Sequence, residues 1–402
     1  MSSTTFIYGK PLNEREVADY HRILSQAFGW SLDSALNPAA EEGMANLRLL
    51  RRSARVIGGL SFQPCRQFFG GRAVSMTGVR IVAISPDMRG QGAASTLMEA
   101  AVREQRERGW LVSTLHPSMR GLYRKSGYEV AGDSCLWELP LNAELPIDER
   151  GLTLKPFDLG NASGMTAMRH LYDAHAQKSD GWLERSDWYW ARIFRAPAEE
   201  GLAQKLHAYL FEGDRGPEGY IIYHPSRGYD GRMKLVVRDW VASTSAARRR
   251  LLSFLREQRS VFDIALLHAG EQEALLALRD EALNAPHQNQ PWMLRLLDVQ
   301  GALEARGFPP GVSCELHLGV KDGLLAENER PMVLTVEAGR GAIRVGGEAR
   351  VIVDVRGLAA LYSGYITPYM LRGMGLLDAA DSDLAKLMAA FSGPRPWMPE
   401  RF

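Results

Sequence analysis

Hydrophobic positions along the first 140 residues switch between helical and strand spacing. Glu14 to Phe28 puts Val17, Tyr20, Ile23, Leu24 and Phe28 on one face and predicts an amphipathic helix. Arg55 to Phe62 reads as a strand, and Arg72 to Ser85 holds a second, longer one. Ala94 to Arg108 has helical spacing and stops at Gly109, a residue favoured just past a helix end. Trp110 to Leu115 is a further strand, and Glu129 with Cys135 to Leu139 predicts closing strands. The polar, proline-bearing stretch Pro140 to Gly151 predicts a boundary, so a first domain is expected over 1–145.

The same rhythm returns, less distinctly, over 146–286. Ala208 to Phe211 and Gly219 to Tyr223 predict a strand pair around the turn residues Gly213 to Pro217. Lys234 to Ala242 is a strand, Ala246 to Gln258 a basic helix, and Phe262 to His268 another strand. A third domain is expected over 287–402. It opens with Trp292 to Val299 and a short helix ending at Gly307, continues with strands at Glu315 to Val320, Met332 to Glu337 and Ala342 to Val345, and closes with helices after Asp354 and Asp381. This alternation places the chain in the mixed α/β (α+β) class.

Composition narrows the function more than the fold. Of 402 residues, 48 are basic and 47 acidic, a net charge of +1 that argues against a dedicated nucleic-acid or anionic-membrane binder. Cys65, Cys135 and Cys314 lie far apart without a CxxC pair and read as reduced core thiols. The histidines show no ligand spacing, and no metal is expected. Met1 to Lys10 has no apolar stretch, and no later run approaches the ~20 apolar residues a membrane span needs, so a soluble, cytoplasmic protein is expected.

The chemistry concentrates in Val79 to Met98. An apolar strand ends at Ser85-Pro86, a glycine-rich turn follows, and a helix begins. Arg89-Gly90-Gln91-Gly92-Ala93-Ala94 fits the pattern Arg/Gln-x-x-Gly-x-Gly/Ala. A diphosphate needs close backbone N–H groups, which Gly90, Gly92 and the small alanines leave accessible, and the helix turns its positive end toward the anion. A Rossmann site is disfavoured, because the strand is about fourth in order and no Gly-x-Gly-x-x-Gly is completed.

This window resembles motif A of the GNAT acetyltransferase superfamily. The resemblance implies acetyl-CoA as co-substrate. Val82 and Ile84 would contact its pantetheine arm through backbone groups, and Arg89, Gly90, Gly92 and Ala94 would hold the pyrophosphate. Downstream, Leu122-Tyr123-Arg-Lys-Ser-Gly127-Tyr128 resembles the later signature of the family, whose first tyrosine stands near the thioester sulfur. Tyr123 is then the general acid toward the departing thiolate, protonated at pH 7 with an ordinary pKa of about 10.

Over most of the chain the sequence resembles the enhanced intracellular survival (Eis) acetyltransferases. That resemblance implies two tandem GNAT-like domains, the second degenerate, and a C-terminal sterol-carrier-protein-like domain. Leu235 to Val241 runs into Thr244-Ser-Ala-Ala-Arg-Arg without glycines, so no cofactor is assigned to the second copy. The chain end Gly393-Pro-Arg-Pro-Trp-Met-Pro-Glu-Arg-Phe402 is stiffened by three prolines and carries two apolar anchors, Trp397 and Phe402. In the family the terminal carboxylate is the base, which here is that of Phe402, with His116 the competing base. Phe28, Trp30, His116 and Arg401 are the expected acceptor-pocket residues. Arg401 stands where familiar members carry an acid, and Arg89-Gly90-Gln91 where they carry successive arginines. The expected activity is direct acetylation of a primary amine of aminoglycoside, polyamine or lysine type, by a homo-oligomer that the resemblance makes a hexamer. The rival readings are a non-catalytic acetyl-CoA-binding regulator and a lipid carrier acting through the third domain.

Overall fold

A computed structural model describes residues 6–29, 44–141, 151–195, 205–277 and 286–400. They form two compact units, the first reaching to Ala131 and resuming over Trp292–Gly393, the second covering Gly132–Pro291 with Pro394–Glu400.

In the first unit β1 (Phe6–Gly9) leads to α1 (Glu14–Phe28), then β2 (Leu47–Arg52), β3 (Arg55–Phe69) and β4 (Arg72–Ile84). Asn13 caps α1 by accepting from the Glu16 amide, and Gly29 ends it with a left-handed φ of 68°. β3 and β4 are joined by Gly70-Gly71, whose φ values of 58° and 81° fit the mirror-image turn that suits twisted hairpins. The long α2 (Ala93–Glu107), β5 (Val112–Leu115), the short α3 (Arg120–Arg124) and β6 (Glu129–Gly132) follow.

The second unit contains β7 (Cys135–Pro140), β8 (Thr153–Pro156), α4 (Ala162–Ala176), β9 (Leu183–Glu184), α5 (Asp187–Ile193), β10 (His207–Gly213), β11 (Gly216–Arg227), β12 (Met233–Ala242), α6 (Ser245–Glu257), β13 (Ile264–Ala269), α7 (Ala274–Ala277) and β14 (Gln288–Asn289). The chain then re-enters the first unit through β15 (Trp292–Leu296) and α8 (Val299–Ala305).

The main sheet of the first unit runs β1-β2-β3-β4-β5-β15-β6, and that of the second β14-β7-β13-β12-β11-β10-β8. Two strands therefore depart from the sequence reading. Cys135–Pro140, expected to close the first domain, instead pairs antiparallel with β13, Ala269 opposite Cys135. β15 enters the first sheet beside β5, Met293 opposite Leu115. The physical reason lies in the two burial patterns. Every residue of Trp292–Leu296 is buried, as an interior strand covered on both faces requires, whereas Cys135–Pro140 alternates buried and half-buried. The one charge in β15, Arg295, is fully enclosed and donates to both carboxylate oxygens of Asp322 at 2.6 and 2.7 Å.

The remaining strands, β16 (Cys314–Lys321), β17 (Met332–Glu337), β18 (Arg340–Val345), β19 (Val351–Asp354) and β20 (Leu377–Asp378), make a five-stranded sheet ordered β18-β17-β16-β19-β20. Helices α9 (Val355–Tyr362), α10 (Pro368–Gly373) and α11 (Asp381–Ala390) complete it. No helix among the described residues is long and apolar enough to cross a membrane.

Candidate active site

Strands β4 and β5 run parallel but pair over only three positions, Met76–Val112, Thr77–Ser113 and Gly78–Thr114. β4 continues to Ile84 with its other edge still held by β3, Gly59 opposite Ala83 and Gly58 opposite Ile84. Past Gly78 the two strands part. The Ser85 amide donates to the Ile57 carbonyl at 2.8 Å, so Ser85 and Ala83 aim their backbone groups at β3. Alternation then turns the N–H and C=O of Val82 and Ile84 to the opposite edge, where no β5 partner reaches them. These are the two residues expected to bind through backbone groups.

A bulge sets this edge. Gly59 and Ser61 of β3 face Ala83 and Arg80 of β4, which leaves Ile81 as part of an extra step with a φ of 47°. The carbonyl of Ile81 accepts from the hydroxyl of Tyr20 on α1. The sequence placed Tyr20 on the apolar face of the helix and gave it no further role. Nothing in the local pattern of a buried helical tyrosine reveals a backbone partner 61 positions away.

Beyond Ile84 the chain turns through Pro86–Met88 into Arg89-Gly90-Gln91-Gly92. Gly90 and Gly92 have φ of 75° and 83°, a region that L side chains rarely adopt, and a Cβ on either would project into open space. Gly92 is the N-cap of α2 and offers no side-chain cap, so the first amides of a 15-residue helix stay available. Three guanidiniums ring this turn: Arg89 itself, Arg52, which donates to the Gln91 side chain at 2.9 Å, and Arg55, paired with Asp87 at 2.6 Å. The Arg55 hydrogen bond and that of Ser85 hold the Asp87 carboxyl down at about 2. Arg52 and Arg55 come from the β2–β3 hairpin, and sequence spacing gave no sign of them.

Tyr123 is 3% exposed on α3, and its ring meets that of Tyr128 edge-on at 6.3 Å. Burial raises its pKa above the usual 10, opposed by a hydrogen bond with Ser118. Tyr128, the last residue of the signature, is hydrogen-bonded to Ser113 at 2.7 Å. One hydrophobic cluster contains Ile84, Met88, Ala93, Leu97 and Tyr123, with Val82 and Ala94 packed against it. The strand end, the helix start and the tyrosine are thus brought together, while Arg89, Gly90 and Gly92 lie exposed at the turn.

The acceptor-side residues are less gathered. Phe28 is 41% exposed at the end of α1, whose inner face packs on Ile81 and Ala83. His116 follows β5 directly and is half-buried. Trp30, Arg401 and Phe402 lie outside the described residues.

The second unit repeats the frame and departs from it at each chemical position. β12 and β13 pair in parallel at three positions ending with Val236–Leu266. Where Ser85–Gly92 form the turn of the first unit, only Ser243 and Thr244 join β12 to α6. Thr244 caps that helix with its own hydroxyl, accepting from the Ala247 amide at 3.0 Å. Tyr123 stands nine residues past Thr114, and nine residues past Leu266 stands Leu275, buried and without a hydroxyl.

Acetyltransferase (GNAT) domain models match residues 9–131 and 181–296, and a sterol carrier protein domain model matches 299–399. The crystal structure of a GCN5-related N-acetyltransferase from Anabaena variabilis is similar at 35% identity, covering 99% of this chain and all of that one with a TM-score of 0.91. The N-acetyltransferase Eis of Mycobacterium tuberculosis is 26% identical over 371 residues, 85% of each protein. The chain is a GCN5-related N-acetyltransferase of the Eis family. Eis1 of Mycobacterium abscessus, at 21% identity and a TM-score of 0.79 over 99% of this chain, shares the fold of this Eis-family enzyme. The two GNAT copies and the sterol-carrier-like domain expected from sequence are present.

Proposed function

We propose that the first unit transfers the acetyl group of acetyl-CoA directly to a primary amine. The observation that carries this reading is the continuity of three features. The uncapped α2 N-terminus behind two left-handed glycines adjoins the unpaired edge of Val82 and Ile84, and both pack into the cluster that holds Tyr123. The residues present fit acetyl-CoA: the open space at Gly90 and Gly92 suits a diphosphate approaching backbone N–H groups, and an amide-bearing arm can satisfy a strand edge.

Acetyl-CoA supplies an activated thioester, and the protein orients it and manages protons. Arg89, Gly90, Gly92 and Ala94 hold the pyrophosphate, and Val82 and Ile84 align the arm. Tyr123, kept neutral by burial, donates its proton to the sulfur as the thioester C–S bond breaks and the C–N bond forms. The amine must first lose a proton. The family resemblance assigns that role to the α-carboxylate of Phe402, with His116 as the competitor. Phe28, Trp30, His116 and Arg401 form the acceptor side, and aminoglycosides, polyamines and lysine side chains are the acceptor classes. Assembly as a homohexamer accompanies this reading.

A thiol-release assay across these amine classes tests it, beside calorimetric titration with acetyl-CoA. Micromolar binding and amine-dependent release of CoASH are expected. Binding without release for every amine would leave the regulator reading standing instead.

A further inference from the structure

The second unit has a GNAT frame without a place for a cofactor, yet the gap between its diverging strands is filled. Trp240 stands four residues past Val236, as Val82 stands four past Gly78, and its indole N–H donates to the His268 carbonyl at 2.8 Å across the parting strands. The rest of the filling comes from the chain's own end. Trp397 stacks on Trp240 with ring centroids 6.5 Å apart and meets Trp182 edge-on at 4.9 Å. It lies so close over Gly270, just past β13, that a Cβ there would come within 2.8 Å of the indole.

The backbone of this segment is bound as a ligand's would be. The Asp133 amide donates to the Pro396 carbonyl at 3.1 Å, the Met398 amide to the Asp133 carbonyl at 3.0 Å, and the Trp397 amide to the Asp180 carbonyl at 3.2 Å. Arg395 pairs with Asp133 and Glu271, each at 3.0 Å.

Past Trp397, Glu400 ends in a buried charge cluster. Its carboxylate accepts from the Arg185 guanidinium and the Tyr172 hydroxyl, both at 2.7 Å. Arg185 also donates to both oxygens of Asp239 at 2.6 and 2.9 Å, and Tyr220 donates to Asp239 at 2.7 Å. Asp239 belongs to β12 beside its bulge, the step that corresponds to the Ile81 bulge of β4.

From these contacts we infer that the second GNAT copy is a receptor for the C-terminal segment Pro394–Glu400. The indole of Trp397 fills the gap between its parted strands, and Glu400 is the latch that fixes where the last two residues begin. Trp397 and Glu400 are then positioning residues for the chain end. Their effect on turnover rests on the proposed role of Phe402. The chemistry recognised is that of a stiff, proline-flanked peptide with one aromatic and one acidic anchor. Proline keeps the ordering cost low, because its φ is set before binding.

The test uses the full-length protein and its Trp397→Ala and Glu400→Ala variants. Glu400→Ala leaves Arg185 paired with Asp239 and frees the single Tyr172 hydroxyl proton for the Leu183 carbonyl 2.7 Å away, so the fold has no unpaired charge to expel. Hydrogen exchange of the 394–400 peptide should be slow in the parent and at least tenfold faster in both variants, with β12 peptides unchanged. Turnover should fall at least tenfold while KM for acetyl-CoA stays within twofold. Unchanged exchange in both variants overturns the receptor assignment, whatever the rate does. A released segment with normal turnover overturns the positioning role and the assignment of Phe402 as base, and leaves acetyl transfer by the first unit intact.

Discussion

The hydroxyl of Tyr20 donates to the carbonyl of Ile81, the one residue of β4 with a left-handed backbone. A β-branched residue pays on the order of 1–2 kcal/mol to stand there, and the buried hydrogen bond helps hold it. Tyr20→Phe keeps the ring and removes the donor. Such a change should cost about 1–3 kcal/mol of stability through the orphaned carbonyl. As the bulge relaxes and the edge of Val82 and Ile84 re-aims, KM for acetyl-CoA should rise about tenfold, a shift worth ~1.4 kcal/mol. Thermal denaturation and steady-state kinetics read the two effects; lost stability with unchanged KM would confine Tyr20 to packing.

Gly92 separates backbone strain from blocked access. Gly92→Ala forces a side chain to a φ of 83° and should destabilise the protein by about 1–2 kcal/mol. Gly92→Asn tolerates that conformation better but still projects into the anion's space. Calorimetry should show acetyl-CoA affinity reduced in both variants, and more in Asn than its milder stability loss explains. Normal affinity in the Asn variant would move the pyrophosphate off this turn.

For Tyr123 the expected loss on Tyr123→Phe is on the order of 10²–10⁴ in kcat, the usual worth of a general acid. The pH profile adds a sign. Burial raises this pKa above 10, so the acid form is present throughout the neutral and mildly alkaline range. Turnover should therefore show no alkaline decline below pH 10 attributable to Tyr123. A limb near pH 8 that disappears in the Phe variant would contradict the raised pKa.

Glu400 gives the tail its own pH dependence. Burial pushes its carboxyl above the ordinary value of 4.5, against the opposing pull of Arg185 and the Tyr172 hydrogen bond, with a smaller push from the Asp239 charge. A carboxyl raised on folding contributes stability that is fully present below its unfolded pKa and is lost as pH rises through its folded one. Exchange of the 394–400 peptide, corrected for the intrinsic pH effect, should accelerate as pH rises through the folded-state value of Glu400, which lies above 4.5. Glu400→Gln, which keeps the shape without the charge, should flatten that response.

Arg295 and Asp322 form a fully enclosed pair on β15. Asp322→Ala strands the guanidinium between two sheet neighbours and should cost about 3–5 kcal/mol, read as a lowered denaturation midpoint. A loss under 1 kcal/mol would mean that the charge finds water or another partner.

What was legible in the sequence follows from how local each cause is. The periodicity over Glu14–Phe28 matched α1 residue for residue, because a single buried face and two caps fix a helix within its own span. The turn glycines were legible because a left-handed φ and an open Cβ position both select glycine. Prolines and aromatics marked the tail as stiff and anchored, and residues 394–400 are held at every second or third side chain. The fates of Cys135–Pro140 and Trp292–Leu296 were not legible, since an apolar strand does not name its partner. Ile81 was hidden for the opposite reason: its conformation contradicts its propensity, and the cause lies in Tyr20 and the facing strand. Arg52 and Arg55 reach the turn only once the β2–β3 hairpin has formed, so no spacing within the motif could point to them.

Because β15 is an interior strand of the first sheet, the first unit cannot be finished as it leaves the ribosome. Met293 pairs with Leu115 only after Gly132–Pro291, the main part of the second unit, has been synthesised between them. Until then the free edges of β5 and β6 are exposed strand edges in a nascent chain, a hazard for pairing with the wrong partner. Contacts that distant in sequence are slow to form. The first sheet therefore closes late in synthesis, and a gene fragment ending at Pro140 encodes an open sheet that lacks β15.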